Sequence, residues 1–440
     1  MAPHKGVLKF FTMFLLVSSM NSWGSDDVPL RLSLSDALMM AKEKHVTILV
    51  AQERVQQALA RIGESRSVLL PQIQADISQK RQTRDLRTSG ISFAGDPLVG
   101  PFNAYDARVK LTQTIFDPAA IARLEATRDA QHESLSEYRK ARQDALALVA
   151  TFFIDAKRAS EYVQLTKILL HRDQKRLRII QNRFQNGLAS DLEVKQAKAN
   201  YTQSLSHWRT ANTESIERRF DLTAALGISA QQSIVFVEDD QQKDFNFPSD
   251  IEVKRSLRTH PAIEVVQDQL QQKNKEHAAE LAEYFPKISA FTDYGPSGIK
   301  PNDSSETYTL GVQASMPIFE GGLRQSRLKE TQSRIKETQA TLKDTQIHIE
   351  ADVFKAKEMV KQAKTLLKEA NENLNVAKQE FDLAKRRLNK GIGSELELMD
   401  AFAELALARD QKKEVMATYQ MAQINLTHAL GTIDQLVTIK

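Results

Sequence analysis

Apolar and polar positions alternate in two places along the chain, and the two places resemble each other. Over 71–86, Ile73, Ala75 and Ile77 interleave with Gln74, Asp76 and Ser78, and over 104–116, Tyr105, Ala107, Val109 and Leu111 interleave with Asp106, Arg108 and Lys110. A period of two predicts strands with one apolar and one charged face. A second pair is predicted over 286–295 and 306–318. There Ile288, Ala290, Thr292 and Tyr294 alternate with Lys287, Ser289 and Asp293, and Tyr308, Leu310, Val312 and Ala314 alternate with Thr309, Gly311 and Gln313, while Phe291 breaks the pattern. The links carry Gly90, Gly95, Pro97, Gly100 and Pro101 in one pair and Gly295, Pro296, Gly298 and Pro301 in the other, and read as exposed loops.

Elsewhere the apolar period is helical. Ile121, Leu124, Leu135, Tyr138, Leu146, Val149, Phe153, Ala156 and Leu165 recur mostly at steps of three and four, a narrow stripe as in coiled coils. Glycine and proline are costly inside helices, by ~1 and ~3 kcal/mol. Between Pro118 and Pro248 the only glycines are Gly187 and Gly227; between Gly322 and the C-terminus they are Gly391, Gly393 and Gly431, with no proline. Helices are therefore predicted over 119–186 and 323–390, each about 100 Å long. Each ends at a glycine suited to a left-handed cap. The returning helices, 190–226 and 394–430, open on serine–glutamate capping boxes, Ser190 with Glu193 and Ser394 with Glu397. Even counted from 188 and 392 they reach only about 58 Å and cannot climb their partners alone. Helices predicted over 33–68 and 249–283 have the missing length and are expected to stack end to end on them.

The chain is duplicated. The segment 183–194 (RFQNGLASDLEV) aligns with 387–398 (RLNKGIGSELEL), and 221–227 (DLTAALG) with 425–431 (NLTHALG) at the same offset. Lys44-His45-Val46 aligns with Thr259-His260-Pro261. Two structural repeats result, 25–247 with a connector at 228–247, and 248–440 with a short C-terminal segment. His45 and His260 occupy equivalent places and are expected to be structural.

Composition narrows the class. Of 440 residues only 41% are hydrophobic and 7% aromatic, too few for a large globular core. The 60 basic and 56 acidic residues, net charge +4, fit solvated helix faces and carry no nucleic-acid footprint. Cysteine is absent, which removes thiolate metal sites, cysteine nucleophiles and an N-terminal lipid anchor. The nine histidines are scattered, so no metal site, cofactor or catalytic group is expected and the chain is read as a non-enzyme. Lys5 and Lys9, an apolar run from Phe10 to Met20, and Ser22-Trp23-Gly24 predict a cleavable export signal over 1–24. No segment approaches the roughly 20 apolar residues of a membrane helix, so entry into a membrane would be as strands.

Alternating strands fit a barrel with lipid outside and water inside, or an ordinary antiparallel sheet with one wet face. Four strands cannot close a barrel, and open edges cannot stand in hydrocarbon, so a barrel would be shared between chains. Two chains supply eight strands and three supply twelve; geometry alone does not choose. An export signal with long hairpins also suits a periplasmic coiled-coil adaptor or scaffold protein of an export complex, but the two hairpins and duplicated strand pairs argue for a channel.

The paired motifs, a Leu-Pro-x-Ile strand start, Ile-Phe-Asp or Ile-Phe-Glu-Gly-Gly at the strand exit and a Gly-Leu or Gly-Ile helical turn, resemble the TolC outer-membrane factor family across the mature chain. The resemblance implies a mainly α fold with a β-barrel portion: duplicated hairpins forming an α-barrel, and four strands per chain contributing to a shared trimeric barrel in outer-membrane lipid. It implies a homotrimeric channel of the cell outer membrane with a long periplasmic extension, serving tripartite efflux or type I secretion. Its implied partners are a periplasmic adaptor (membrane fusion) protein and an inner-membrane exporter of unknown class.

Carried over residue by residue, the adaptor-docking tip turns are Gly187, Leu188, Ala189 and Ser190, and Gly391, Ile392, Gly393 and Ser394. The entrance constriction is assigned to Glu397 and Asp400, with Glu193 as the acid of the first turn. Glu397 and Asp400 share a helix face, and a three-fold ring of them would favour cations; Glu397 completing a capping box is compatible with that role. The family's usual lock, an arginine two residues after the second turn glycine and an aromatic three before it, falls here on Gly393 and Leu388.

Overall fold

A computed structural model describes residues 29–90, 95, 97–237 and 247–436. The expected signal at 1–24 and part of the 228–247 connector lie outside these residues. In chain order the elements are β1 (Leu30–Leu32), α1 (Leu34–Lys44), α2 (Val46–Ser67), β2 (Gln72–Asp85), β3 (Leu98–Phe116), α3 (Pro118–Gln185), α4 (Asp191–Leu226) and β4 (Ile234–Phe236). The second half holds α5 (Asp250–Arg258), α6 (Pro261–Ala282), β5 (Lys287–Lys300), β6 (Asp303–Ser315), α7 (Leu323–Asn389) and α8 (Glu395–Ala429).

Two expected helices are broken. In place of 33–68 and 249–283 stand α1 with α2 and α5 with α6, separated at His45 and near His260. Both histidines have extended backbone and cap the following helix, Nδ1 accepting from the amides of Thr47 and Ala262 at 3.2 Å. Histidine is a rare N-cap, so the pattern reads through it.

The long helices form a row. α3 packs against α4 and α8, and α8 against α7; at the other end α3 packs against α2 and α6, and α6 against α7. Thus α2 continues α4 and α6 continues α8. The joints fall on the repeated glycines: a Cβ on Gly227 would lie 3.5 Å from the Lys44 carbonyl, and one on Gly431 2.6 Å from Pro261 Cδ. His260 lies at the second joint, where a Cβ on Gly431 would lie 3.1 Å from its ring.

The main core sits midway along α3, where Leu146, Val149, Ala150 and Phe153 meet Leu32, Leu38, Leu222, Leu226 and Ile433. Here β1 pairs in parallel with β4, and Phe153 meets Phe236 edge to face at 5.4 Å. Within the 228–247 connector β4 is a three-residue strand formed by a contact two hundred residues away, which leaves too little local pattern to read.

The four predicted strands form one antiparallel sheet in the order β2-β3-β5-β6. The register places Ile73 beside Leu111, Ala75 beside Val109, Val109 beside Tyr294, and Tyr294 beside Tyr308. All lie on one face, which is open: Ile77 is 78% and Tyr308 79% exposed. The other face is polar. Arg108 bridges Asp106 and Asp293 and donates to Thr307 Oγ1 at 2.8 Å, and Lys110 pairs with Asp76 at 2.9 Å. Phe291 breaks the alternation because its ring covers Gly311 on β6, where a Cβ would lie 2.7 Å from Phe291 Cζ.

Strand bounds shift from those expected. β3 begins at Leu98 instead of 104, β5 runs on to Lys300, and β6 spans 303–315 instead of 306–318. Gly295 and Gly298, read as loop residues, are strand residues where backbones come close: a Cβ would lie 2.0 Å from the Ala107 carbonyl and 2.2 Å from that of Asp303. Pro317, which cannot donate to a ladder, follows the end of β6. Among the described residues no helix is long and apolar enough to cross a membrane.

Candidate channel entrance

Both hairpin turns are built alike. Gly187 and Gly391 adopt φ of 72° and 73°, the left-handed conformation that ends a helix. Leu188 N donates to the Arg183 carbonyl at 2.8 Å, and Ile392 N to that of Arg387 at 3.1 Å, satisfying carbonyls the helices leave over. Leu188 and Ile392 are thrust outward, 67% and 66% exposed.

The first returning helix has a complete capping box. Ser190 Oγ accepts from Glu193 N at 3.2 Å, and Glu193 Oε2 accepts from Ser190 N at 2.7 Å and from Ser190 Oγ at 3.0 Å. The Ser190 backbone amide holds the Glu193 carboxyl below its usual range. Glu193 is thereby committed to its own turn.

The second box is only half formed, contrary to expectation. Ser394 Oγ accepts from Glu397 N at 3.0 Å, but the Glu397 carboxylate instead takes Arg387 Nε at 2.8 Å. Asp400 turns to a different helix, meeting Arg176 of α3 at 3.2 Å. One turn away Lys175 of α3 pairs with Glu395 at 2.5 Å. The two acids thus sit on one helix but bond to opposite neighbours, α7 and α3.

Gly393 has no room for the side chain of the usual lock. A Cβ there would lie 2.9 Å from Leu388 N and 3.1 Å from the Arg387 carbonyl carbon, because Gly393 N itself reaches the Arg387 carbonyl. Arg387 takes an acid of the turn in its stead. Reasoning along the sequence missed Lys175, Arg176 and Arg387. Arg387 and Glu397 lie nearly symmetrically about the turn and were within reach of hairpin pairing, whereas the α3–α8 contacts had no local signal.

Further from the tip the α3–α8 seam continues as an ion-pair ladder. Arg158 grips Asp410 at 2.7 and 2.9 Å and Glu414 at 2.5 Å, and Lys413 meets Glu161 at 3.4 Å. His428 Nε2 lies 2.7 Å from Asp144 Oδ1.

Stacked hairpins about 100 Å long, joined to a four-stranded sheet with an open apolar face, define a class of proteins. The chain belongs to the outer membrane efflux protein family, whose model matches residues 37–228 and 253–432, and this places it in the outer membrane. It is similar to the outer membrane protein TolC of Escherichia coli (strain K12), 25% identical over 62% of this chain and 57% of that protein's length. The TolC of Salmonella enteritidis is 22% identical over 86% of this chain and 77% of its own. The fold matches the Campylobacter jejuni CmeC outer membrane channel with a TM-score of 0.79 at 18% identity, covering 91% of this chain and 85% of that one.

Proposed function

We propose that three copies of this chain close a shared twelve-stranded barrel in the outer membrane, continued by an α-helical tunnel through which substrates leave the cell. The observation that carries this reading is the sheet. Its edges, β2 and β6, have no further strand beside them among the described residues, and its apolar face is open. From Tyr308 to Ala314 the open face of β6 is apolar over about 20 Å along the strand, the pattern of a lipid-facing barrel strand. An open edge in lipid would leave backbone groups without partners; further copies supply them.

The chain has no cysteine, so a single pair can be introduced at the two edges. Gln74→Cys with Gln313→Cys, treated with a flexible bismaleimide in detergent, is expected to give covalent species up to trimer. A monomer as the sole product, or a protein found wholly in the soluble periplasmic fraction, would overturn the reading.

On this reading the tip turns meet a periplasmic adaptor through Leu188 and Ile392, an inner-membrane exporter feeds the tunnel, and the pairs Lys175–Glu395 and Arg176–Asp400 hold the entrance in the conformation described.

A further inference from the structure

Some 10 to 20 residues from the turn along α7 and α8 the row of helices carries a cavity of about 510 Å³, bounded by α3, α8 and α7 together. Its apolar wall is Leu165 and Leu169 of α3, Val376 and Ala377 of α7, and Leu407 and Ala408 of α8. Four carboxylates line it, Glu380, Glu404, Asp410 and Glu414, against one guanidinium, that of Arg158. Arg158 is fully engaged by Asp410 and Glu414 and lies over the Tyr162 ring at 5.4 Å. Glu380 and Glu404 have no hydrogen-bond or ion-pair partner among the described residues, Glu404 being felt by Arg172 only through space.

The face on which the cavity opens follows from the packing. α8 lies between α3 and α7, so one cavity reaches both flanking helices across α8 only on the side toward which the row bends. A second cavity, about 280 Å³, spans α4, α3 and α8 and shares Arg158, Tyr162 and Glu414 with the first, so both open on the same side. In a ring closed by copies of the chain, the concave side is the inside of the tunnel.

We infer that this groove is a binding station for organic cations with an apolar body, on the inner wall of the tunnel; the inference rests on the channel reading above. The apolar wall removes hydrocarbon surface from water, the unpaired carboxylates favour positive charge, and the volume is that of a small-molecule site. An anion of the same shape meets the same wall with the opposite electrostatic sign and is rejected. Placement inside the ring excludes a folded protein as the occupant.

Tetraphenylphosphonium and tetraphenylborate are nearly the same shape with opposite charge. Equilibrium dialysis of the full-length trimer in detergent, against a matched micelle blank, should show saturable binding of the phosphonium and none of the borate. Glu380→Gln with Glu404→Gln should weaken phosphonium binding at least tenfold. Leu407→Asn, which keeps every carboxylate, should weaken it several-fold. Equal binding of the two ions, no saturable binding, or unchanged affinity in the Glu380→Gln/Glu404→Gln protein would overturn the proposal. Conductance of the same preparation in planar bilayers separates the two readings: a conducting trimer without phosphonium selectivity sinks the groove alone, and a protein that never conducts sinks the channel.

Discussion

At the scale of single residues, His260 has the most exacting role. Its Nδ1 must be unprotonated to accept from Ala262 N, so the neutral ring is the one that caps α6. Burial, the largest effect, lowers its pKa from the ordinary 6.5. As pH falls, the unfolded chain therefore takes up the proton first. The contribution of His260 to stability is complete above about 6.5 and is lost as pH drops from there toward the folded value. His260→Asn, which can still cap a helix, is expected to flatten the fall in thermal midpoint between about pH 7.5 and 5.5; an identical slope in both proteins would show that another group titrates. Gly311 has an equally local reason. Gly311→Val would drive a side chain into the Phe291 ring and is expected to cost about 1–3 kcal/mol, read as a lower unfolding midpoint in detergent.

Elements are decided by punctuation and then tied by charge. The hairpins were legible because glycines stand at their turns and nowhere else along them. The partner of Asp400 was not, because it lies on α3, more than 200 residues away in sequence; that of Glu397, Arg387, stands ten residues back on α7. The ion pairs there are half exposed and each contributes only ~0–1 kcal/mol to stability. Lys175→Ala with Arg176→Ala is therefore expected to leave the thermal midpoint nearly unchanged while raising conductance in planar bilayers several-fold. Unaltered conductance would mean that something else holds the entrance. Changing Glu397 and Asp400 together to Ala is expected to lower cation preference, since the carboxylates contribute to the field even when paired; unchanged selectivity would leave them only structural roles. Gly393→Arg should not restore the usual lock, because the turn has no space for a Cβ.

Across the whole molecule, the row α4-α3-α8-α7 ends on helices that expose apolar residues. Ile347, Phe354 and Leu383 of α7 and Ile216 and Phe220 of α4 are all more than a third exposed. If copies close the ring, these are the outer helices that meet. Phe354→Asp is then expected to shift the mass in detergent from trimer toward monomer, and a trimer of undiminished stability would place the contact elsewhere. The asymmetry between repeats also appears only at this scale. Asp117 caps α3, accepting from Ala120 N at 2.9 Å, and pairs with Lys287 at 2.8 Å, whereas α7 starts at Gly322 with no side-chain cap.

By itself the sequence determined the duplication, the two long hairpins, the strand pairs and their apolar faces, and the position of the turns. Those features are written in periods of two and of three to four and in the placement of glycine and proline, all of which act between near neighbours. Only the tertiary structure decided where helices break at His45 and His260, that β1 finds β4, that Phe291 sits over Gly311, and that Asp400 bonds α3. Each of these depends on which distant segment arrives beside it, and a periodic pattern carries no record of its partner.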